Sequence, residues 1–238
     1  MSRVVILKTG STYPAIANAF GDFEDWFVAG LSPELEQTIV DVALEAPPGQ
    51  AQDWDGIVVT GSPAMVSERA PWSERTASWL AQAVEQQVPV LGVCYGHQLL
   101  AHALGGQVGF HPNGRESGTF PVRLNEHGCQ DPLLGQLPEQ FPAQLTHLQS
   151  VLTLPPGATL LASSAFEPNQ AFRVGSNAWG VQFHPEFSAP IMRAYLEVQS
   201  PSLREEGLDP DALIAGVTDT PEAASLLQRF SQLVLAGD

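Results

Sequence analysis

The sequence of 238 residues predicts an α/β fold, with an open, mostly parallel sheet, flanking helices and a small antiparallel β-meander. Three observations support this prediction. Short apolar runs alternate with amphipathic helical patterns as far as Gly106, which is typical of parallel strands joined by right-handed crossovers. Beyond Gly106 the chain is rich in Gly, Pro and polar residues, and its strand-like runs follow one another as in a meander. Helical periodicity returns in residues 189–238.

In the first half, dense β-branched or apolar runs predict strands, and segments with apolar residues three or four apart predict helices. The predicted strands are residues 3–8, 38–44, 54–60 and 88–93, and the predicted helices begin within 21–27, cover 74–87 and follow Cys94. Parallel strands end at one edge of a sheet, where open α/β folds keep their sites. The loop that contains Gly61-Ser62-Pro63 should therefore emerge at that edge.

In the second half, short runs of strand-forming residues predict further strands, and two periodic segments predict helices. The strands are predicted at 120–124, 143–151, 158–162, 170–174 and 178–183, and the helices at 189–199 and 222–236, with a short one between them. No repeat or low-complexity tract interrupts the chain. One domain covering residues 1–238 is expected, with a C-terminal helical extension over about 189–238.

The acidic composition argues against two classes of partner. Asp and Glu number 26 against 10 Lys and Arg, so the formal net charge is −16. Nucleic-acid binding and docking on anionic membranes both depend on clustered basic residues, so neither partner is expected. No apolar run approaches the ~20 residues that span a bilayer. The N-terminus lacks a signal-peptide cleavage site, and two cysteines do not make a disulfide framework, so a cytoplasmic location is expected.

Cys94 lies where a buried strand turns sharply into a helix. The run Gly92-Val-Cys94-Tyr-Gly96 follows an apolar strand and precedes Leu99 and Leu100, which begin one face of a helix. This is the layout of a nucleophile elbow. The two glycines remove the Cβ clashes that close packing would produce.

A cysteine suits the elbow position chemically. The thiolate is the nucleophilic form, and backbone N–H groups at a helix N-terminus stabilise it. The same N–H groups can hold an oxyanion. The alternative is a buried cysteine that acts as a small hydrophobic residue, which is the more common role of a lone cysteine.

His184-Pro-Glu186 can supply a base and a group that orients it. In an extended backbone, residues two apart point to the same face, and Pro185 favours this conformation for His184. The Glu186 carboxylate can then accept a hydrogen bond from one imidazole nitrogen and aim the other at the thiol. Taken alone, the tripeptide is more simply explained as a turn.

Together, the two motifs identify a family. Gly92-Val-Cys94-Tyr-Gly-His-Gln98 and Gly180-Val-Gln-Phe-His184-Pro-Glu186, with His147 between them, resemble the class I (triad) glutamine amidotransferases. The nearest resemblance is to the free-standing, GMP-synthetase-like members. It implies a flavodoxin-like architecture, no cofactor and no metal.

The resemblance also assigns roles to residues. It implies that Cys94 attacks the side-chain amide of glutamine, that His184 protonates the leaving ammonia and that Glu186 orients His184. The oxyanion would lie between the N–H of Tyr95 and one N–H from the loop of Gly61 and Ser62.

The same resemblance points to residues that bind the substrate. Gln98 would line the glutamine pocket, whereas its pattern alone also fits a polar residue on the exposed side of a helix. His147 is a further substrate-binding candidate. Gln149 stands where related proteins often carry Asp, so its role stays open.

Three functions remain open from the sequence. The chain contains no Gly-x-x-x-x-Gly-Lys phosphate loop, so ammonia made here would pass to a separate synthetase or acceptor subunit, or water would be the acceptor. Gamma-glutamyl peptidases share this scaffold, so another γ-glutamyl amide is a rival substrate. The third possibility is a non-catalytic member that binds a metabolite or a partner protein.

Overall fold

The computed structural model describes residues 2–237. The strands are β1 (Arg3–Lys8), β2 (Glu36–Asp41), β3 (Gly56–Val59), β4 (Val90–Val93), β5 (Gln107–Phe110), β6 (Glu116–Leu124), β7 (Gln140–His147), β8 (Gln149–Thr153), β9 (Ala158–Ser163), β10 (Ala171–Val174) and β11 (Ala178–Val181). The helices are α1 (Pro14–Phe20), α2 (Phe23–Gly30), α3 (Pro71–Glu85), α4 (Tyr95–Ala103), α5 (Glu126–Cys129), α6 (Ala189–Glu205), α7 (Pro210–Ala215) and α8 (Pro221–Ala236).

Within residues 2–237 the main sheet has nine strands, in the order β2-β1-β3-β4-β11-β10-β9-β6-β7. The pairs from β2 through β11 are parallel, and those from β11 through β7 are antiparallel. We call these two parts the parallel half and the antiparallel half. A separate small sheet pairs β5 with β8. The predicted α/β fold class is therefore confirmed, and the antiparallel meander continues the main sheet.

Helices cover both faces of the parallel half because its inner strands β1, β3, β4 and β11 are apolar on both faces. In β1, Val4 packs in a core with Phe27 of α2, whereas the next residue, Val5, packs in a second core with Leu80 of α3 and Leu99 of α4. Successive residues of a strand point to opposite faces, so one β-branched run serves both cores.

One predicted strand is divided in the structure. Residues 143–151 were expected to form a single strand, but β7 ends at His147 and joins the main sheet, while β8 begins at Gln149 and joins the small sheet. The backbone oxygen of Gln149 accepts hydrogen bonds from the side chains of Gln98 and His147, and that of Leu148 accepts from the N–H of His111. These carbonyl groups are therefore not available to continue the first ladder.

Two helical features were not predicted. Helix α1 has no side-chain cap at Tyr13 and buries only Ile16 among its described residues, so its sequence carries little helical signal. Helix α6 does not end at residue 199 but continues through Pro201, because Leu203 beyond the proline is fully buried. Apolar packing there outweighs the hydrogen bond that a proline removes.

A helix that crosses a bilayer must be both long and predominantly apolar. No helix within residues 2–237 combines these two properties.

Candidate active site

Cys94 follows β4 and is the N-cap of α4. Its backbone has φ 52° and ψ −102°, and such a positive-φ conformation costs a non-glycine residue about 1–3 kcal/mol. Neighbouring strands hold it in place, since the N–H of Cys94 donates to the oxygen of Val181 at 2.9 Å and the N–H of Gly96 donates to the oxygen of Thr60 at 3.2 Å. The turn is thus tied to the strands on both sides of β4.

Gly92 and Gly96 allow α4 to pack directly on the sheet. A Cβ atom added to Gly92 would lie 2.4 Å from the backbone oxygen of Gly96, and one added to Gly96 would lie 2.4 Å from that of Val59. Backbone atoms of packed elements cannot move aside as a flexible side chain can. Close packing therefore requires both glycines, as the sequence predicted.

The thiol of Cys94 lies in a cleft at the carboxyl edge of the parallel strands. Cys94 is 7% exposed, and its Sγ is 3.9 Å from the backbone oxygen of Thr146. The cleft has a volume of about 350 Å³. Cys129, the other free cysteine, is exposed at the end of α5 and is not among the described residues that line the cleft.

His184 and Glu186 form a buried pair beside the thiol. Nδ1 of His184 is 2.7 Å from Oε1 of Glu186, and both side chains are almost fully buried. The imidazole stacks on Phe187 with ring centroids 4.1 Å apart, and the N–H of His184 donates to the oxygen of Gln144 at 2.9 Å. The ring is therefore held on one edge and on one face.

The electrostatic surroundings favour a protonated His184. Burial disfavours the charged ring, but the nearby Glu186 carboxylate and Cys94 sulfur outweigh it and raise the pKa of His184 to about 10. Nε2 of His184 is buried, and it makes no well-aligned hydrogen bond with any of the described residues. The Cys94 side chain is nevertheless near enough to contribute to the raised pKa of His184. This nitrogen is therefore free to give a proton to a bound molecule.

The loop with Gly61 and Ser62 lies against the imidazole. A Cβ atom added to Gly61 would be 3.1 Å from Cε1 of His184. The hydroxyl of Thr9 donates to the oxygen of Gly61 at 2.9 Å, and the hydroxyl of Ser62 donates to the oxygen of Thr9 at 2.7 Å. The end of β1 therefore fixes this loop. Tyr95, the other oxyanion candidate, is the first residue of α4, where helix geometry leaves the backbone N–H without an intrahelical partner.

Gln98 is 4% exposed and lines the cleft, so the alternative of an exposed helix face is wrong. Its Nε2 donates to the backbone oxygen of Gln149 at 2.7 Å and to Oε1 of Gln182 at 2.9 Å. An amide nitrogen has two hydrogens, so both are used. The carbonyl oxygen of the Gln98 side chain remains as an acceptor.

His147 also lines the cleft, but its ring nitrogens are both engaged. Nδ1 is 3.0 Å from the backbone oxygen of Gln149, and Nε2 is 2.9 Å from Oε2 of Glu116. Glu116 also accepts a hydrogen bond from Gln170 at 3.3 Å, and all three side chains are buried. His147 therefore supports the wall of the cleft through buried hydrogen bonds.

Gln149, at the position where Asp was the expected residue, holds a neighbouring segment. Its side-chain amide donates to the hydroxyl of Ser67, and its Oε1 accepts from the N–H of Ser67 at 3.3 Å. Ser67 belongs to a short 3-10 turn, Val66–Glu68. A shorter Asp side chain could not make the same pair of contacts without a shift of this turn.

Helix α6 and the segment before β6 contribute residues that the sequence did not predict. Tyr195 and Gln199 of α6 line the cleft, as does Arg115. Tyr195 hydrogen-bonds Thr12 through its hydroxyl, and burial raises its pKa well above the usual range. The spacing of four residues between Tyr195 and Gln199 indicates a shared helix face, but not what that face contacts.

The chain resembles known proteins in sequence and in fold. The profile of the glutamine amidotransferase class-I family matches residues 22–197. The glutamine-hydrolysing GMP synthase of Aeropyrum pernix is 38% identical over 149 residues, which are 63% of this chain and 27% of that protein. The chain thus spans about a quarter of the length of this relative.

Two relatives match over more of their own length. One is a protein of Archaeoglobus fulgidus that is named as a single subunit of the glutamine-hydrolysing GMP synthase; it is 30% identical over 177 residues, which are 69% of this chain and 90% of that protein. The other is gamma-glutamyl peptidase 3 of Arabidopsis thaliana, which is 28% identical over 188 residues, or 74% of each chain.

A solved structure has the same fold. The crystal structure of a glutamine amidotransferase from Thermotoga maritima superposes with a TM-score of 0.76 at 23% identity, over 98% of both chains. The family profile covers most of the sequence, and the fold agrees with it. The chain therefore belongs to the class-I glutamine amidotransferases.

Proposed function

We propose that the chain hydrolyses the side-chain amide of glutamine to glutamate and ammonia, with Cys94 as nucleophile, His184 as acid–base group and Glu186 as the carboxylate that orients it. Membership of the family supports glutamine hydrolysis as the general reaction. The observation that carries the residue assignment is the buried His184–Glu186 contact of 2.7 Å beside a cysteine at a helix N-terminus.

The reaction would proceed through a thioester. Sγ of Cys94 attacks the amide carbon, and the C–N bond breaks as Nε2 of His184 gives its proton to the leaving nitrogen. Water then attacks the thioester, Nε2 removes a proton from that water, and the C–S bond breaks to release glutamate. The raised pKa of His184 supports the first step because the ring is protonated before the amide bond breaks.

The developing oxyanion would be held by two backbone N–H groups. One is that of Tyr95 at the start of α4, and the other comes from Gly61 or Ser62. Each such donor is typically worth about 3 kcal/mol of transition-state stabilisation. The hydrogen bonds from Thr9 and Ser62 that fix the loop support this role, since an oriented donor needs a rigid support.

The glutamyl part of the substrate would bind beside Gln98. The free carbonyl oxygen of its side chain is an acceptor that suits the α-ammonium group of glutamine. The Glu116–His147 pair would maintain this wall without contributing a reacting group.

A separate synthetase or acceptor subunit would use the ammonia. The relative from Archaeoglobus fulgidus is itself named as one subunit of a synthase, and it matches this chain over 90% of its length. We further infer a reducing cytoplasmic location, because both cysteines are free and the proposed reaction requires the thiol of Cys94.

Hydrolysis of γ-glutamyl peptides is the second candidate function. The plant peptidase matches this chain over 74% of both lengths, whereas the long GMP synthase matches over 27% of its own. A cleft of about 350 Å³ also lies in the range that holds ligands larger than a single amino acid.

A substrate scan with purified protein tests the proposal. Glutamine, γ-glutamyl peptides and asparagine would be compared, with glutamate and ammonia measured together. We expect equal release of both from glutamine, none from asparagine and none with the C94A variant. Faster cleavage of a γ-glutamyl peptide than of glutamine would favour the second function. Binding without any turnover would identify a non-catalytic member of the family.

A further inference from the structure

Arg115 places a positive charge at the cleft of a strongly acidic protein. Among the described residues that line the cleft, it is the only Lys or Arg. The formal net charge of the chain is −16, so a carboxylate on a substrate meets a largely unfavourable surface elsewhere. Guanidinium groups match carboxylates in geometry as well as in charge.

One edge of the Arg115 guanidinium is already held. Nε is 2.9 Å from Oε2 of Glu206, and Nη2 is 2.9 Å from Oε1 of the same carboxylate. All hydrogen bonds found for Arg115 among residues 2–237 use these two nitrogens. Arginine has five N–H donors, so the edge with Nη1 is still able to bind a second carboxylate.

The two hydrogen bonds from Nε and Nη2 to Glu206 also orient the Arg115 side chain. The Arg115 side chain is 12% exposed, whereas that of Glu206 is 34% exposed. A guanidinium that is already fixed loses little side-chain freedom when a ligand binds. Glu206 therefore orients the guanidinium group and leaves the N–H donors of Nη1 available for a ligand.

Arg115 is connected to helix α6, which itself lines the cleft. Its partner Glu206 directly follows α6, and Ser117, two residues along the chain, bonds Gln199 of α6 at 3.0 Å. The glutamyl part was proposed to bind beside Gln98 on α4. The α6 side of the cleft would then hold the group attached to the nitrogen of the scissile amide.

We infer that Arg115 binds a carboxylate on the amine portion of a γ-glutamyl conjugate, so that the substrates are γ-glutamyl amino acids or peptides with a free C-terminal carboxylate. This inference rests on the proposed roles of Cys94, His184 and Glu186 and on the second candidate function, and it specifies the substrate class of the same site. The chemistry is unchanged: the amide C–N bond breaks, His184 protonates the leaving nitrogen, and an amino acid or peptide leaves in place of ammonia.

The test compares two substrates that differ in one charge. A γ-glutamyl dipeptide is assayed with its C-terminal carboxylate free and with the same carboxyl group converted to a carboxamide, and glutamine is assayed alongside. We expect the wild type to prefer the free carboxylate by about 10- to 100-fold in kcat/KM, mainly through KM. Arg115→Gln should bring this ratio to about one, because the loss of kcat/KM falls on the substrate with the free carboxylate.

Two further variants separate binding from structure. Arg123→Gln removes an exposed arginine of β6 that pairs with Glu139, and it should leave the ratio unchanged. Glu206→Gln removes the competing charge but keeps a hydrogen-bonding group, so the preference for the free carboxylate should stay or increase. If Arg115 and Glu206 only stabilised the fold, both variants would lower the activity on all three substrates.

Two results would overturn the inference. One is a carboxylate preference that persists in Arg115→Gln, and the other is an equal loss with glutamine, which would assign Arg115 to the α-carboxylate of the glutamyl part or to the fold. Calorimetric binding of both dipeptides to the C94A variant keeps this test independent of turnover. An Arg115-dependent preference there, without cleavage by the wild type, would refute the proposed function and retain the carboxylate site.

Discussion

The parallel and antiparallel halves of the main sheet contribute to the cleft in different ways. In the parallel half the inner strands β3, β4 and β11 are apolar and buried. The groups proposed to react or to hold the oxyanion stand beyond their carboxyl ends: Cys94 after β4, His184 after β11 and Gly61 after β3. In the antiparallel half, polar side chains lie on the strands themselves and pair across them, as Glu116 of β6 does with His147 of β7.

The effects of substitutions on activity and on stability should therefore be separable in the parallel half and coupled in the antiparallel half. A nearly isosteric change at Cys94, beyond the end of β4, removes a reacting group and leaves the core packed. A change on β6 or β7 leaves a buried partner unsatisfied, so the fold and the wall of the cleft suffer together.

Cys94→Ser should give the largest loss of activity in the molecule. We expect kcat for glutamine to fall by at least about 10⁴-fold, because a serine hydroxyl is not ionised beside His184. The free energy of unfolding in urea should change by less than about 1 kcal/mol, since the substitution is nearly isosteric.

Cys129→Ser is the matched control and should keep activity within about twofold, because Cys129 is exposed and outside the cleft. A glutamine-mimicking diazo-ketone should label Cys94 and not Cys129 in mass spectrometry. Labelling of both thiols to the same extent would contradict the assignment of the nucleophile.

His184→Ala should lower kcat by about 10³- to 10⁴-fold. Glu186→Gln should cause a smaller loss, because the His184 imidazole is still present and can reach the thiol part of the time without its carboxylate partner. The double variant should lose far less than the product of the two single effects, since the groups act as a unit. Circular dichroism would verify that each variant is folded. Independent, multiplicative losses would mean that the two residues do not share one mechanism.

Glu116→Ala tests the antiparallel half, where stability should respond first. Removing this carboxylate leaves His147 and Gln170 buried without their acceptor, at a cost in urea unfolding of about 1–3 kcal/mol for each unpaired group. Glu139→Ala, on an exposed pair with Arg123, is the control and should cost less than about 1 kcal/mol. Equal effects of the two variants would remove the distinction between the halves.

His97 should show that a buried histidine of the parallel half can be purely structural. It is fully buried on α4, its ring lies 5.0 Å from that of Phe172, and burial lowers its pKa to about 3. The unfolded chain binds a proton at this residue below pH ~6.5 and the folded chain does not, so stability is lost as the pH falls from about 6.5 towards 3.

The measurement is urea unfolding across this pH range for the wild type and for His97→Phe. In the wild type, one proton taken up on unfolding makes the free energy of unfolding fall by at most about 1.4 kcal/mol for each pH unit of acidification. The variant should lack this contribution. An unchanged slope would mean that His97 does not resist protonation in the folded protein.

The parallel half was predictable because its signals are local. Strand β1 has the predicted bounds of residues 3–8, and the predicted strands at 54–60 and 88–93 contain β3 and β4. Dense β-branched runs that end at glycine or proline carry this information within a few residues. The positions of Cys94 and His184 beyond strand ends follow in the same way.

The antiparallel half and the α6 side of the cleft depend on contacts between distant residues. The break between β7 and β8 involves Gln98, which is 51 residues from Gln149 in the sequence. Arg115 meets Glu206 across 91 residues. No periodic pattern records such pairs, so the divided strand, the buried contact between His147 and Glu116 and the arginine in the cleft could be found only in three dimensions.

The elbow glycines also determine how the chain can vary. At most buried positions the damage from a substitution grows with the volume of the new side chain, because neighbours can absorb a small excess. At Gly92 and Gly96 the first carbon atom already meets backbone at 2.4 Å. Alanine should therefore be nearly as harmful there as tryptophan. In a complete substitution library, the loss of stability at these two positions should be large for every side chain and should not increase further with side-chain volume.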